Sequence, residues 1–467
     1  MDQLRIVLPI LLIVYFVLRA RRQPVFLLGL PFLELIGRGI FVDQLISLPV
    51  LRIVLTRFDG NVRMFIWLML AWVVCTMISP ARKKAPAIGA NSIGVFGKTR
   101  FLPQEVLWIP IAVVVMVNLA STIVTYGDIV SALVEASPFI FLIIGYWPVR
   151  GIIAHTSQKE VRDFLEVITW VNSIAAILYV LHQGLHIPVY TFYQEFQSFS
   201  FQGELITRTF WFMPQLLLFS FAFQIAKPRL DLRSSIIIVI NALGIFITYT
   251  RSLVIAAAAI IALVIILRLL KKQLAQTGRT AIVVIGGGLL LGLGITQVFP
   301  VEMQYFSSRI QPANAAESIG GTDSLIGRLD LFNQTSEVVG TSSTAGLGFP
   351  NERQLPITYY VKQWYADMVW IMVLFRTGII GIAAFLGLFI LFWLRTLRMY
   401  LQGSGETEFL GLVFALLIPA VLISSVVSFE FLYLEHCTLG LWYLAVVAAE
   451  INRANATGKT HQQLQFT

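Results

Sequence analysis

Apolar runs alternate with short polar segments along almost the whole chain. Most runs are about 15 to 22 residues long, which nearly suffices to cross a ~30 Å hydrocarbon layer at about 1.5 Å per residue. Their approximate bounds are 4–18, 24–42, 64–79, 105–126, 129–149, 164–181, 209–226, 235–250, 253–270, 281–299, 368–394, 409–428 and 439–449. The pattern predicts an all-α polytopic membrane protein with about 12–14 transmembrane helices.

Segment 43–63 leaves this helix count open. It fits an outer loop, a re-entrant helix or one further crossing of the bilayer.

Basic clusters predict the orientation of the runs, because cytoplasmic loops retain Lys and Arg. The clusters fall at alternate ends of successive runs, and they lie near residues 19–22, 82–84, 150–162, 227–233, 271–279 and 395–398. This alternation predicts that the loops 184–208 and 430–436 face outward, together with the long polar interval that follows Phe299.

The long polar interval separates two groups of apolar runs, and with the polar C-terminus it gives four parts of the chain. We predict an N-terminal transmembrane bundle over 1–299 and a long extracytoplasmic loop with short helices over 300–366. C-terminal transmembrane helices over 367–450 and a cytoplasmic tail over 451–467 complete the division. Because nearly everything else is lipid-soluble, we expect the chemistry of the protein in or beside the long loop.

Composition supports a membrane protein. The chain is 57% hydrophobic and 13% charged with a mean hydropathy of +0.80, which is too apolar for an ordinary soluble protein. Its net charge of +9 is explained by the cytoplasmic bias and by contact with anionic lipid head groups, so we expect no nucleic-acid partner. Cys75 and Cys437 lack neighbouring ligands, and no phosphate-loop motif occurs, so we also expect no metal and no cofactor.

Arginines near the outer ends of the runs are candidate anion ligands, because a guanidinium matches two phosphate oxygens and keeps its charge. Arg251 lies between two runs that are joined almost without a loop, where an unpaired charge costs a few kcal/mol. It either snorkels to water or forms an anion site with the surrounding Thr, Tyr and Ser residues. Arg376 has a similar setting, closer to the following run.

Two further arginines lie in the predicted outer loops. Arg208 lies at the end of the first of these loops. Its position is explained equally well by the aromatic belt at the membrane interface and by ligand binding. Arg328 is predicted to begin a helix in the long loop. The alternative to ligand binding there is an ion pair with Asp323 or Asp330.

Three short motifs surround the long loop. The turn Thr250-Arg251-Ser252 opens a helix rich in small residues. A second segment begins at Gly327-Arg328 and runs into Gly346-Leu347-Gly348, and a third carries Gly378 and Gly381. In this order the motifs resemble those of the O-antigen ligase and O-antigen polymerase family of bacterial envelope polysaccharide assembly.

The resemblance covers roughly residues 210–444. Arg309 and Gly320 add a spacing that is noted in polymerase loops. In ligases the third motif begins with a His-Asn pair, and Asp367 and Met368 occupy those positions here. An aspartate could accept the proton of an acceptor hydroxyl, but it lacks the near-neutral pKa of imidazole, which favours a polymerase over a ligase.

Asp367 has a structural alternative, because it precedes an apolar helix and Asp is a preferred N-cap residue. The last outer loop supplies the next acid or base candidates, Glu430, Glu435 and His436.

The resemblance implies a glycosyltransferase in the bacterial inner membrane, active on the extracytoplasmic side. It would move an oligosaccharide from a polyprenyl pyrophosphate carrier to a sugar hydroxyl, with Asp367 facing the acceptor. Arg251 and Arg328 would hold the pyrophosphate, with Arg208, Arg376 and Arg309 as further candidates. Fixed arginines would stabilise the charge of the leaving group without a metal.

The implied partners are the lipid-linked oligosaccharide, a glycan or lipid acceptor, the bilayer and, as further candidates, other polysaccharide-assembly proteins. A ligase that transfers the glycan to lipid A core is the first alternative. A lipid-linked sugar flippase or secondary transporter is more distant, because charges at mid-bilayer and internal repeats are not evident in the sequence.

Overall fold

The computed structural model describes residues 11–12, 14–29, 68–76, 102–154, 156–184, 196–201, 204–209, 214–248, 250–298, 300–310, 330–338, 346–351, 369–425, 444–450 and 453. The predicted span or loop at 43–63 lies outside these residues.

Long helices dominate the described residues. They are α1 (Trp108–Tyr126), α2 (Ile129–Ala154), α3 (Gln158–Gly184), α4 (Pro214–Ile225), α5 (Leu232–Ile247), α6 (Arg251–Leu270), α7 (Leu274–Val298), α8 (Pro300–Ile310), α9 (Val369–Gln402) and α10 (Gly405–Ser424). Short 3-10 helices cover Pro24–Leu28 and Pro103–Leu107. Helical residues also occur at 14–20, 68–76, 330–338 and 444–450.

Five helices of the described part are long and apolar enough to cross a membrane. They span Glu105–Tyr126, Ile129–Ile153, Arg251–Leu270, Val369–Gln402 and Gly405–Ser424. The prediction of an all-α polytopic membrane protein is confirmed. The predicted total of about 12–14 spans stays a prediction.

A β-hairpin occupies part of the predicted outer loop at 184–208. Its strands, β1 (Phe196–Phe201) and β2 (Glu204–Thr209), pair antiparallel, with Phe196 opposite Thr209 and Phe201 opposite Glu204. No strand was predicted in this loop from the sequence. Within β1, Ser198 and Ser200 alternate with Phe199 and Phe201, and Gly203 follows, which is a short period-2 signal typical of a hairpin.

Helix α10 lies at the centre of the bundle and is the most buried of the five candidate spans. It packs against α9, α6, α4 and α3. Helix α9 also packs along α1, and α2 packs against α1. Helices α1, α2 and α9 thereby form the surface that the segment Gly346–Pro350 contacts.

Several helix ends that carry basic residues meet at one end of the bundle, here called the basic end. Lys227, after α4, contacts Glu166 of α3 at 3.2 Å. At the start of α10, Glu408 lies 2.8 Å from Lys271, which follows α6. The opposite end, where α1 finishes and α2, α6 and α9 begin, is here called the loop end.

Candidate functional site

The segment Gly346–Pro350 of the long polar interval docks against the loop end of the bundle. The Leu347 N–H donates to the Phe375 carbonyl of α9 at 2.9 Å. The Phe349 N–H donates to the Thr122 hydroxyl of α1 at 2.7 Å, and the Phe349 ring meets that of Phe139 on α2 at 5.4 Å. One short piece of the loop is thus bound to three helices.

Two glycines allow this close approach. Gly346 and Gly348 have φ values of 88° and 83°, in the left-handed region that glycine tolerates best. A Cβ atom on Gly346 would lie 2.4 Å from the Gly378 nitrogen, and one on Gly348 would lie 2.3 Å from the Thr122 hydroxyl oxygen. The Gly-Leu-Gly motif therefore allows backbone to pack directly on backbone.

A break in α9 provides acceptors for these contacts. Gly378 has φ 64° and ψ −166°, which interrupts the helix between its first turns and its long second part. The carbonyls just before the break accept from outside the helix, since Phe375 accepts from Leu347 and Arg376 accepts from the Asn118 amide at 2.9 Å. The third motif thus shapes a docking surface for the second.

Arg376 lies at the centre of this junction, with a side chain that is only 2% exposed. Its Nη1 donates to the Pro350 carbonyl at 2.6 Å, and its Nη2 lies 2.5 Å from Oε2 of Glu135 on α2. The guanidinium also lies 5.8 Å from the centre of the Phe349 ring. We call Glu135, Arg376 and the segment Gly346–Pro350 the loop clamp.

Arg251 is the first residue of α6 and lies at the loop end. The N-cap residue Thr250 makes no side-chain cap hydrogen bond, and its hydroxyl donates instead to the Thr248 carbonyl at 3.2 Å. The hydroxyl of Ser252 is buried and has no hydrogen-bond partner among the residues that the structure describes. A helix N-terminus favours anions, and a half-buried guanidinium there strengthens that preference.

The other candidate residues are less well defined. Arg208 lies in β2 opposite Gln197, and Arg309 lies in α8, but their side chains are outside the described part. Outside the described residues altogether are Arg328, Asp367, Glu430, Glu435 and His436. The structure therefore joins Arg376 to Glu135, and the predicted pyrophosphate set stays a prediction for each of its members.

Glu135, Asn118 and Thr122 were not among the residues predicted from the sequence. Glu135 was detectable, because it is an acidic residue inside an apolar run, and ionisable residues within spans are functional candidates by default. Asn118 is likewise a polar residue in an apolar span, and it is buried. Only the tertiary structure shows that all three serve the same segment of the loop.

No group of three or more His, Cys, Asp or Glu side chains in the described part of the chain could hold a metal ion.

Comparison with known proteins identifies the segment that contains these motifs. A family model described as O-antigen ligase matches residues 236–386, about a third of the chain. The match begins within α5, includes Arg251 and the loop clamp segment, and ends in α9. A search of curated proteins found no significant match. The resemblance noted in the sequence is confirmed over residues 236–386, the part of the chain that is similar to the O-antigen ligase family.

Proposed function

We propose that the protein is a membrane glycosyltransferase that polymerises a polysaccharide. It takes an oligosaccharide from a polyprenyl pyrophosphate carrier and transfers it to a sugar hydroxyl at the outer face of the bacterial inner membrane. The family match supports a membrane protein that processes glycans of the O-antigen type. The donor, the acceptor and the side of the membrane are parts of the proposal.

The observation that carries the proposal is the start of α6. Arg251 stands at a helix N-terminus at one end of the membrane bundle, beside the buried Ser252 hydroxyl. A pyrophosphate attached to a membrane lipid presents its charge at this depth, and positive groups fixed there stabilise the leaving group as the glycosidic bond breaks. Arg251 therefore serves as the main pyrophosphate ligand.

Arg328 is the proposed second ligand, with Arg208 and Arg309 as candidates to extend the site. Arg376 does not join this direct set in our proposal. Both of its terminal nitrogens already contact Pro350 and Glu135, and its side chain is 2% exposed, so a substrate phosphate would have to displace these partners to reach it.

Asp367 is the proposed acceptor-facing residue. It stands two residues before Val369, where α9 begins, and nine residues before Arg376. As a carboxylate it would accept the proton of the attacking hydroxyl. Its position before a helix also suits an N-cap, so the test must separate the two roles.

The experiment is transfer by the purified protein with a lipid-linked oligosaccharide. Arg251→Lys and Arg328→Lys keep the charge but lose the bidentate fork, so each should lose most of the activity. Arg353→Lys in the same loop is the control and should retain it. Full activity in both of the first two variants would contradict the pyrophosphate roles.

Asp367→Asn tests the acceptor-facing role in the same assay. An amide can still cap the helix but cannot accept the proton, so this variant should fold and lose polymer formation. Polymer formation at the parental rate would indicate that Asp367 is only a helix cap.

A ligase that uses lipid A core as acceptor is the second candidate, because the matching family model is described as O-antigen ligase. The same assay distinguishes the two, since a ligase adds glycan only when the lipid acceptor is supplied. Extension of the oligosaccharide without that acceptor indicates a polymerase.

A further inference from the structure

We infer that the loop clamp is a positioning device for the transfer reaction, with Arg376 and Glu135 as its positioning residues. The inference rests on the proposed function. It assigns to Arg376 the task of fixing the long loop against the bundle, rather than contact with the pyrophosphate.

The clamp joins three parts of the chain through one side chain. The two terminal nitrogens of Arg376 point to different partners, the Pro350 carbonyl at 2.6 Å and the Glu135 carboxylate at 2.5 Å. Arg376 itself is held by the hydrogen bond from Asn118 to its carbonyl. The guanidinium therefore ties the loop to α2 while its backbone is tied to α1.

A lysine cannot replace this arginine. Its single ammonium group lacks the planar fork that reaches a carbonyl and a carboxylate in two fixed directions. Replacing Glu135 by a neutral residue would leave the buried guanidinium of Arg376 without its carboxylate partner, and an uncompensated buried charge is strongly destabilising. The segment Gly346–Pro350 is then expected to detach, since the hydrogen bonds from the Leu347 and Phe349 N–H groups and the packing of Phe349 would have to hold it without the arginine.

The chain on both sides of the clamp carries the proposed reacting groups. Arg328 precedes Gly346 by eighteen residues, and Asp367 precedes Arg376 by nine. Asn351 follows Pro350 of the clamp, and Val369 begins α9, which carries Arg376. The clamp therefore fixes both described ends of the interval that contains Asp367. Small displacements of reacting groups cost about 100-fold in rate, so fixing these ends is expected to matter for turnover.

A second ion pair, which is buried on both sides, provides a control at the other end of the bundle. Glu105 and Arg150 lie 2.5 Å apart with side chains 0% and 3% exposed, and Tyr146 donates to Glu105 at 2.8 Å. This pair joins the residues before α1 to the last turns of α2, at the basic end of the bundle. Glu105→Gln removes a comparable charge contact without touching the loop.

The experiment combines amide hydrogen exchange with kinetics on the full-length protein in detergent or nanodiscs. In Arg376→Lys and in the isosteric Glu135→Gln, exchange in the peptide that contains residues 346–350 should rise at least tenfold, because the N–H groups of Leu347 and Phe349 lose their acceptors. The kcat for transfer should fall about 10- to 100-fold while the KM for the lipid-linked oligosaccharide changes less than about threefold. Glu105→Gln, assayed on its monodisperse fraction, should leave that peptide and the kcat of the folded protein unchanged.

The possible results separate the inference from the proposed function. Unchanged exchange in both clamp variants contradicts the clamp, and raised exchange with an unchanged kcat contradicts the positioning role. A selective rise in KM would return Arg376 to the set of direct ligands. If the unsubstituted protein transfers no oligosaccharide, the proposed function fails, and the exchange measurement still decides whether Arg376 and Glu135 hold the loop.

Discussion

Two buried arginines at opposite ends of the bundle have different partners. Arg268, at the basic end, is 1% exposed and donates to the carbonyls of Ile225 and Lys227, each at 2.9 Å. It also donates to the Thr280 hydroxyl. All of these partners are neutral. Arg376, at the loop end, joins a carboxylate on another helix to a carbonyl in the long loop.

The difference shows that burial alone does not reveal what an arginine does in a membrane protein. Arg268 satisfies carbonyls at the end of α4, where a helix C-terminus favours a cation, so it completes a helix and joins it to α7. Arg376 connects a loop to the helices, so its loss is expected to move the loop. Arg251, half-buried at a helix N-terminus, has the setting in which an anionic ligand is favoured.

The first prediction tests which face of the membrane each end occupies. In a background with Cys75 and Cys437 replaced by Ser, Ser318→Cys should label on intact cells with an impermeant thiol reagent. Gln276→Cys, near the start of α7 at the basic end, should label only after the membrane is permeabilised, because basic loops stay in the cytoplasm. Equal labelling of both positions on intact cells would remove the basis for an outward-facing loop end.

The second prediction breaks the loop end by sterics alone. Gly348→Ala places a Cβ atom 2.3 Å from the Thr122 hydroxyl oxygen, so the segment must shift and most transfer activity should be lost. Gly127→Ala is the control, because Gly127 also has a positive φ, 69°, but its Cβ would meet nothing within 4 Å. The control should cost only the ~1–2 kcal/mol of a left-handed residue, measured by thermal unfolding. Similar activity losses in the two variants would indicate that backbone strain, and not docking, is responsible.

The third prediction breaks the basic end. Arg268→Met leaves the carbonyls of Ile225 and Lys227 without this donor, so unfolding should become easier by about 2 kcal/mol or more. Transfer activity per folded molecule should be unchanged, because Arg268 lies at the end away from the proposed site. Arg279→Met, in an exposed position of α7, is the control and should unfold like the parent. Lost activity in correctly folded Arg268→Met would contradict the division of roles between the two ends.

The smallest expected effect concerns a helix cap. Asp231 accepts from the Ser234 N–H at 2.8 Å, and hydrogen bonding from the side chain and the N–H of Ser234 lowers the pKa of the Asp231 carboxyl. Since the folded pKa lies below the unfolded value of about 3.9, the contribution is full above that pH and is lost as the pH falls through the folded pKa. At neutral pH Asp231→Ala should cost about 1 kcal/mol, and Asp231→Asn much less. A larger loss in thermal unfolding for Asn than for Ala would exclude the cap.

Local pattern accounts for most of the fold and for the region of the site. Runs of apolar residues predict helices that cross lipid, because a backbone within a bilayer must satisfy its own hydrogen bonds. The predicted runs at 105–126, 129–149 and 253–270 correspond to α1, α2 and α6 within a few residues. The motifs around Arg251, Gly346 and Gly378 lie within the segment that the family model matches.

The partners of the polar residues were decided only by the tertiary structure. Arg376 and Glu135 are 241 residues apart in the chain, and their pairing depends on how α2 packs against α9 and on the break at Gly378. No local sequence pattern predicts a contact between residues that are so far apart in the chain. The sequence alone identified Arg251 and Arg376 as charges that are costly in a membrane, and it suggested phosphate as a partner for each. For Arg376 the folded chain supplies a carboxylate and a carbonyl, because burial at a helix junction leaves a charge to be balanced by whatever the neighbouring elements present.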